Sequence, residues 1–162
     1  MTNIHPFGEI DPHDLDECYD AQIEVNGDPI EIDLNFESKT IEVDILKKVS
    51  QSIDAVDVQI QKAFEALSAD FDLGEESEAA LFYLEHHLEQ LSDDEILKIF
   101  GSTEITKELF LKKIAVSRIG FYPEDEESFV VVDLKLPDQY TNYIMAVTFD
   151  AEGELSFISM ES

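Results

Sequence analysis

Between Ile114 and Met160 four apolar stretches follow one another with only short turns between them, and this spacing constrains the fold more than any other feature. Ile114–Tyr122, Phe129–Leu136, Tyr143–Phe149 and Leu155–Met160 are each of strand length. They are separated by Pro123 with the acidic turn Glu124-Asp125-Glu126-Glu127, by Pro137-Asp138, and by Asp150-Ala151-Glu152-Gly153. Strands this close in sequence pair with their neighbours as an antiparallel meander. Phe129-Val130-Val131-Val132 and most of Tyr143–Phe149 are apolar at successive positions, which places them centrally in a sheet or under cover on both faces. In the first stretch the alternation of Ile114 and Val116 slips before Ile119 and Phe121, as a bulge near Ser117-Arg118 would make it do.

Upstream, Gln22–Val25 and Ile30–Phe36 alternate apolar and polar residues around Asn26-Gly27, the pair that best tolerates the positive φ angles of a tight hairpin turn. Ile23, Val25, Ile30, Ile32, Leu34 and Phe36 are expected to face the core, with Glu24, Glu31 and Asp33 in water. One solvated face puts this hairpin toward the margin of the sheet. Before it, Ile4–Asp11 reads as an edge strand or a tether. Glu9 to Asp20, dense in carboxylates and broken by Pro12, reads as a solvated loop or irregular turn, with a cation site or a partner-binding edge as the functional alternative.

The period then changes to three and four. Ile45, Val49, Ile53, Val56, Ile60, Phe64 and Leu67 form one helical stripe, capped by Ser38 or Thr40 and followed by Gly74. A break near Ser52–Asp54 would divide it into two helices. Asp70, Asp72, Glu75, Glu76 and Glu78 mark a linker and the first turn of a helix carrying Ala80, Leu81, Leu84, Leu88 and Leu91. Ser92-Asp93-Asp94-Glu95 has the form of a capping box before Ile96, Leu97, Ile99 and Phe100, and Gly101 is placed to end that helix. A last helical turn holds Ile105, Leu109 and Phe110. The expectation is a single α+β domain over residues 1–162: an antiparallel sheet, made of an N-terminal hairpin and a C-terminal four-strand meander, with the helical middle packed mainly on one face.

Charge limits the partners. Thirty-eight Asp and Glu against ten Lys and Arg give a formal net charge of −28. Such a field repels nucleic acid, whose phosphates need basic residues to displace their counterions, and it disfavours anionic membrane surfaces. It attracts basic proteins. The 44% hydrophobic content, with eleven Phe and five Tyr, belongs to a folded chain rather than a disordered acidic tail. All but one of the basic residues are Lys, which favours an ordinary mesophile over a halophile as the origin of the acidity. The first residues lack the basic and apolar regions of a signal peptide, and no apolar run approaches the ~18 residues of a membrane span, so a cytoplasmic protein is expected.

Chemistry-bearing motifs are scarce. His86-His87 sits on a predicted helix beside Glu85 and Glu89, but adjacent residues point about 100° apart and no second His follows at the spacing a zinc site needs. Cys18 excludes an intrachain disulfide by being alone, and Asp16, Glu17 and Asp20 disfavour its thiolate. Asp150, Glu152 and Glu154 lack the ligand number and loop length of a calcium hand. No phosphate loop and no Gly-x-Ser-x-Gly elbow is present. Arg118, the sole arginine, is expected to form a structural ion pair. No catalytic residue, metal ligand or cofactor is therefore assigned. The residues expected to meet a partner are Glu124, Asp125, Glu126 and Glu127 in one turn and Asp14, Asp16 and Glu17 in another.

The segments His5-Pro6-Phe7-Gly8-Glu9-Ile10-Asp11, Ile30–Leu34, Phe121-Tyr122-Pro123 and Phe149-Asp150-Ala151-Glu152-Gly153 to Met160-Glu161-Ser162 together resemble a bacterial domain-of-unknown-function family of small acidic proteins. The resemblance implies an intracellular α+β protein with no assigned activity and carries over no functional residue. Immunity proteins of bacterial toxin systems offer an analogy. Three functions compete: a non-catalytic protein offering an acidic surface to a basic partner, a metal-dependent hydrolase using His86 or His87 in an acidic cleft, and a housekeeping protein whose acidity serves only solubility. A concave acidic site or a flat acidic face would tell them apart most directly.

Overall fold

A computed structural model describes residues 1–162. Thr2–Ile4 (β1) and Gly8–Ile10 (β2) form a small antiparallel hairpin of their own, which the sequence left open between edge strand and tether. Cys18–Val25 (β3) and Asp28–Asn35 (β4) form the second hairpin, so β3 starts at Cys18, inside the stretch expected to be loop. Its turn is Asn26-Gly27, at φ 54° and 86°, the left-handed pair that such a two-residue turn requires.

The helices come next: Val43–Asp54 (α1), Val56–Phe71 (α2), Ala80–Gln90 (α3), Asp93–Phe100 (α4) and Lys107–Lys113 (α5). The long stripe does divide, at Ala55, which ends α1 and begins α2. Its start is set by Glu42 rather than Ser38 or Thr40. Ser92 and Glu95 form the reciprocal capping box of α4, and Gly101 closes that helix at φ 73°. Ala115–Phe121 (β5), Val130–Lys135 (β6), Ile144–Phe149 (β7) and Leu155–Glu161 (β8) then make the meander, with the bulge between Val116 and Arg118.

The main sheet has six strands in the order β3-β4-β5-β6-β7-β8. Every neighbouring pair is antiparallel except β4 and β5, which run parallel, so the sheet is mixed rather than wholly antiparallel. A parallel pair needs a crossover, and here the crossover is the entire helical section. Apart from irregularities at Val116/Arg118 and Thr148/Phe149, register follows the pleat across the strands. Ala21, Ile32, Ile119, Val132, Val147 and Ile158 lie in one row on the face that the helices cover. α2 lies against β6, β7 and β8 on that side, and Leu46, Val49, Ala63, Leu67, Tyr83 and Phe110 are fully buried there.

One connection between helices is made at a distance. Ala79, at the start of α3, has no capping side chain of its own. Asp70, near the end of α2 and only 4% exposed, supplies the cap instead. Its carboxylate accepts from Ser77 Oγ (2.7 Å) and from the backbone N–H groups of Glu78 (2.8 Å), Ala79 (3.1 Å) and Ala80 (2.7 Å). Burial would push this carboxyl up, but the four donors outweigh it and hold its pKa below the ordinary value. Asp70 is thus a buried cap, not linker surface.

Candidate binding site at the acidic end of the sheet

The face turned away from the helices is polar. Its rows read Asp20, Asp33, Gly120, Val131, Thr148 and Phe157, then Gln22, Glu31, Arg118, Asp133, Ala146 and Ser159. At its centre Arg118 joins three strands. Its guanidinium donates to both oxygens of Asp33, through Nε and through Nη2 at 2.6 Å, to Asp133 Oδ2 at 3.2 Å, and to Tyr122 Oη at 2.7 Å. Asn35 Nδ2 donates to Asp33 and to the carbonyl of Phe121. Asp33 is 7% and Asp133 6% exposed, so Asp33 is not in water as its place in the alternation suggests. Burial disfavours the charged form of Arg118, but Asp33 and Tyr122 more than compensate and raise its pKa. Asp133, held by a single contact, has its pKa raised by burial despite Arg118.

Gly120 makes room for this cluster. A Cβ there would lie 2.7 Å from Arg118 Nη2 and 2.9 Å from the Tyr122 ring. The missing side chain lets the guanidinium and the ring meet over β5.

Asn35 and Tyr122 also line a cleft of about 570 Å³, together with Phe36, Glu37, Glu124, Asp125, Glu126, Ser128 and Val131. Its apolar lining is Phe36, Tyr122 and Val131. Its rim carries four carboxylates, and none of the protein's ion pairs involves any of them. Two of the four are pinned by uncharged donors. Glu124 accepts from the N–H groups of Glu37 (2.8 Å) and Ser38 (3.1 Å) and from Ser38 Oγ (3.2 Å). Asp125 Oδ1 accepts from the N–H groups of Glu127 (3.0 Å) and Ser128 (3.1 Å). These bonds shape the loop while leaving each group's negative charge unneutralised.

Of the residues expected to meet a partner, Glu124, Asp125 and Glu126 line this cleft. Glu127 turns instead into a neighbouring depression with Lys48 and Glu152. Asp14, Asp16 and Glu17 do not line it but flank it through the 36–41 segment. Phe36 N–H donates to the Glu17 carbonyl, Leu15 N–H to the Lys39 carbonyl and Ile41 N–H to the Pro12 carbonyl, each at 2.9 Å. The same segment carries the donors to Glu124, so two acidic stretches more than a hundred residues apart share one end of the sheet. Glu37 and Asn35 were missed. Asn35 ends an ordinary strand and Glu37 lies just beyond it, and only the parallel pairing of β4 with β5 brings them beside the Glu124 turn.

Of the adjacent histidines, His87 serves the core, while His86 is half-buried with its ring 4.7 Å from that of Tyr143. His87 is 2% exposed, not half-exposed, and both ring nitrogens are engaged, Nδ1 with the Tyr83 carbonyl and Nε2 with Thr141 Oγ1, each at 2.7 Å. Burial lowers its pKa, and burial raises that of Tyr83, whose hydroxyl bonds the Tyr143 carbonyl, to about 12. No three His, Cys, Asp or Glu side chains come together in a way that could hold a metal ion. Partial burial, with Asp20 and Asp33 nearby, raises the Cys18 pKa. No helix is long and apolar enough to cross a membrane. No family model, no curated protein and no solved structure matches the chain.

Proposed function

We propose that this chain is a non-catalytic binding protein whose acidic cleft receives a Lys or Arg side chain from a basic partner protein. The observation that carries this is that four carboxylates in no ion pair line one cleft together with Phe36, Tyr122 and Val131. A Lys or Arg side chain has an apolar stem and a charged head, and it fits a site built in the same two parts. The stem lies along Val131 and Phe36, the Tyr122 face attracts the cation, and the rim neutralises it. The Arg118 cluster holds Tyr122 and Asn35 before any partner arrives, which lowers the ordering cost of binding. Net charge beyond the cleft steers a basic protein toward it and raises the encounter rate at low salt.

The test is an NMR titration with blocked arginine amide as probe, with blocked glutamate amide as control. Shifts confined to Tyr122, Val131 and the 124–126 turn, lost at high salt and in the double variant Glu37→Gln/Glu126→Gln, are expected. Equal shifts from both probes, or none at the cleft, would overturn the reading.

A further inference from the structure

We infer that the outer edge of β8 docks an extended basic segment of a partner protein, added to the six-stranded sheet as a further strand. The partner is of the same kind as in the cleft reading, but the site is different, so the two fail separately.

The sheet has two ends, and they differ. β3, at one end, carries Asp20, Gln22 and Glu24 at alternate positions along its exposed side. Charges along an edge make it a poor template for another strand. β8, at the other end, has no Lys, Arg, Pro or Gly from Leu155 to Glu161, and Glu161 is its only charge. Leu155 is 49% and Phe157 48% exposed, so the β-forming apolar side chains that would pack against an added strand are already in water. An edge strand directs the backbone groups of every second residue outward, and here they supply the pairing sites.

Charge selects the occupant. Exposed Glu154 and Glu161 bracket the strand, about 23 Å apart at ~3.3 Å per residue. Two copies pairing β8 antiparallel would set Glu161 of each near Glu154 of the other, at both ends, and bring together two chains of net charge −28. An incoming segment with a basic residue at each end and β-forming apolar residues between them meets both glutamates and covers Phe157. Extended, alternating and basic-ended is the chemistry that this edge recognises.

The experiment titrates the full chain with a blocked nine-residue probe of alternating valine and threonine with lysine at both ends, and with the same peptide ended in glutamate. The lysine-ended probe should bind at least about tenfold more tightly and slow amide exchange in 155–161 but not in β3. Phe157→Lys, at an exposed position where folding is not at stake, should weaken it by about tenfold or more. Glu154→Gln/Glu161→Gln should erase the preference between probes as read by protection of 155–161, while Glu37→Gln/Glu126→Gln, which removes only lysine capture at the cleft, should leave that protection unchanged. Absence of protection in 155–161, or equal affinity for both probes, overturns the proposal. Sedimentation showing a dimer that Phe157→Lys dissolves would also overturn it, by assigning the edge to a second copy.

Discussion

The two faces of the sheet are built from the same strands by opposite chemistry. On the covered face, Leu34, Phe121, Val130 and Phe149 stand side by side and are excluded from water by the helices. On the other, the residues one position along are Asp33, Gly120 and Val131, and an ion cluster lies over them. The first face is held by burial of apolar area, which is tolerant of detail. The second depends on one arginine having all of its partners. A period-two pattern reports only which face is which. It does not report how a polar face is held.

The comparison is broken most severely by removing an aromatic from the covered face. Phe121→Ala should cost about 4 kcal/mol in a urea titration, whereas Val131→Thr, on the open face of the next strand, should cost less than about 1 kcal/mol. Arg118→Met should follow at about 3 kcal/mol, because it strands Asp33 and Asp133 without a counter-charge. Its pH dependence separates it from a packing defect. With Arg118 gone, burial holds the Asp133 carboxyl pKa above its unfolded value near 4, so stability is retained below that pH and lost as pH rises through the folded pKa. The deficit should therefore be larger at pH 7 than at pH 4.

Asp70→Asn tests a carboxylate on the helical side and should cost about 2 kcal/mol at neutral pH. Asp70 has a lowered pKa, so its contribution is present above the unfolded value near 4 and lost as pH falls through the folded one. The deficit of Asp70→Asn should also shrink on acidification, but only below about pH 4, whereas that of Arg118→Met shrinks on the way down to that pH. Gly120→Ala should cost less again, about 1 kcal/mol, since the guanidinium end it meets can shift. That shift should loosen Tyr122 and weaken arginine amide binding at the cleft.

Much of the architecture was legible. Asn26-Gly27 named its hairpin, Ser92 to Glu95 named its helix start, and the slip after Val116 named the bulge, because each is set by residues within a few positions of one another. The parallel contact of β4 with β5 was not legible, since no local pattern encodes which distant strand completes a sheet. The site was half visible for the same reason. Glu124 to Glu126 stood out as an acidic turn, but Glu37 and Asn35 reach it only through that distant pairing. Among thirty-eight carboxylates, nothing in the flanking residues marks Asp33, Asp70 and Asp133 as the buried ones. The sole arginine, followed two residues later by a glycine, was the one available clue to the first and last of them.

The parallel pair also sets an order of assembly. Its ladder joins Glu31 to Arg118, residues 87 apart, whereas every other pair in the main sheet is closed by a short connection. The hairpin and the meander can each form locally within microseconds to milliseconds, but uniting them requires closure of a loop containing every helix. During synthesis the finished hairpin must wait for the helical section and then for β5 before it has a neighbour. Until that closure the cleft has no Glu37 wall beside its Glu124 turn, so binding competence arrives with the last long-range contact of folding.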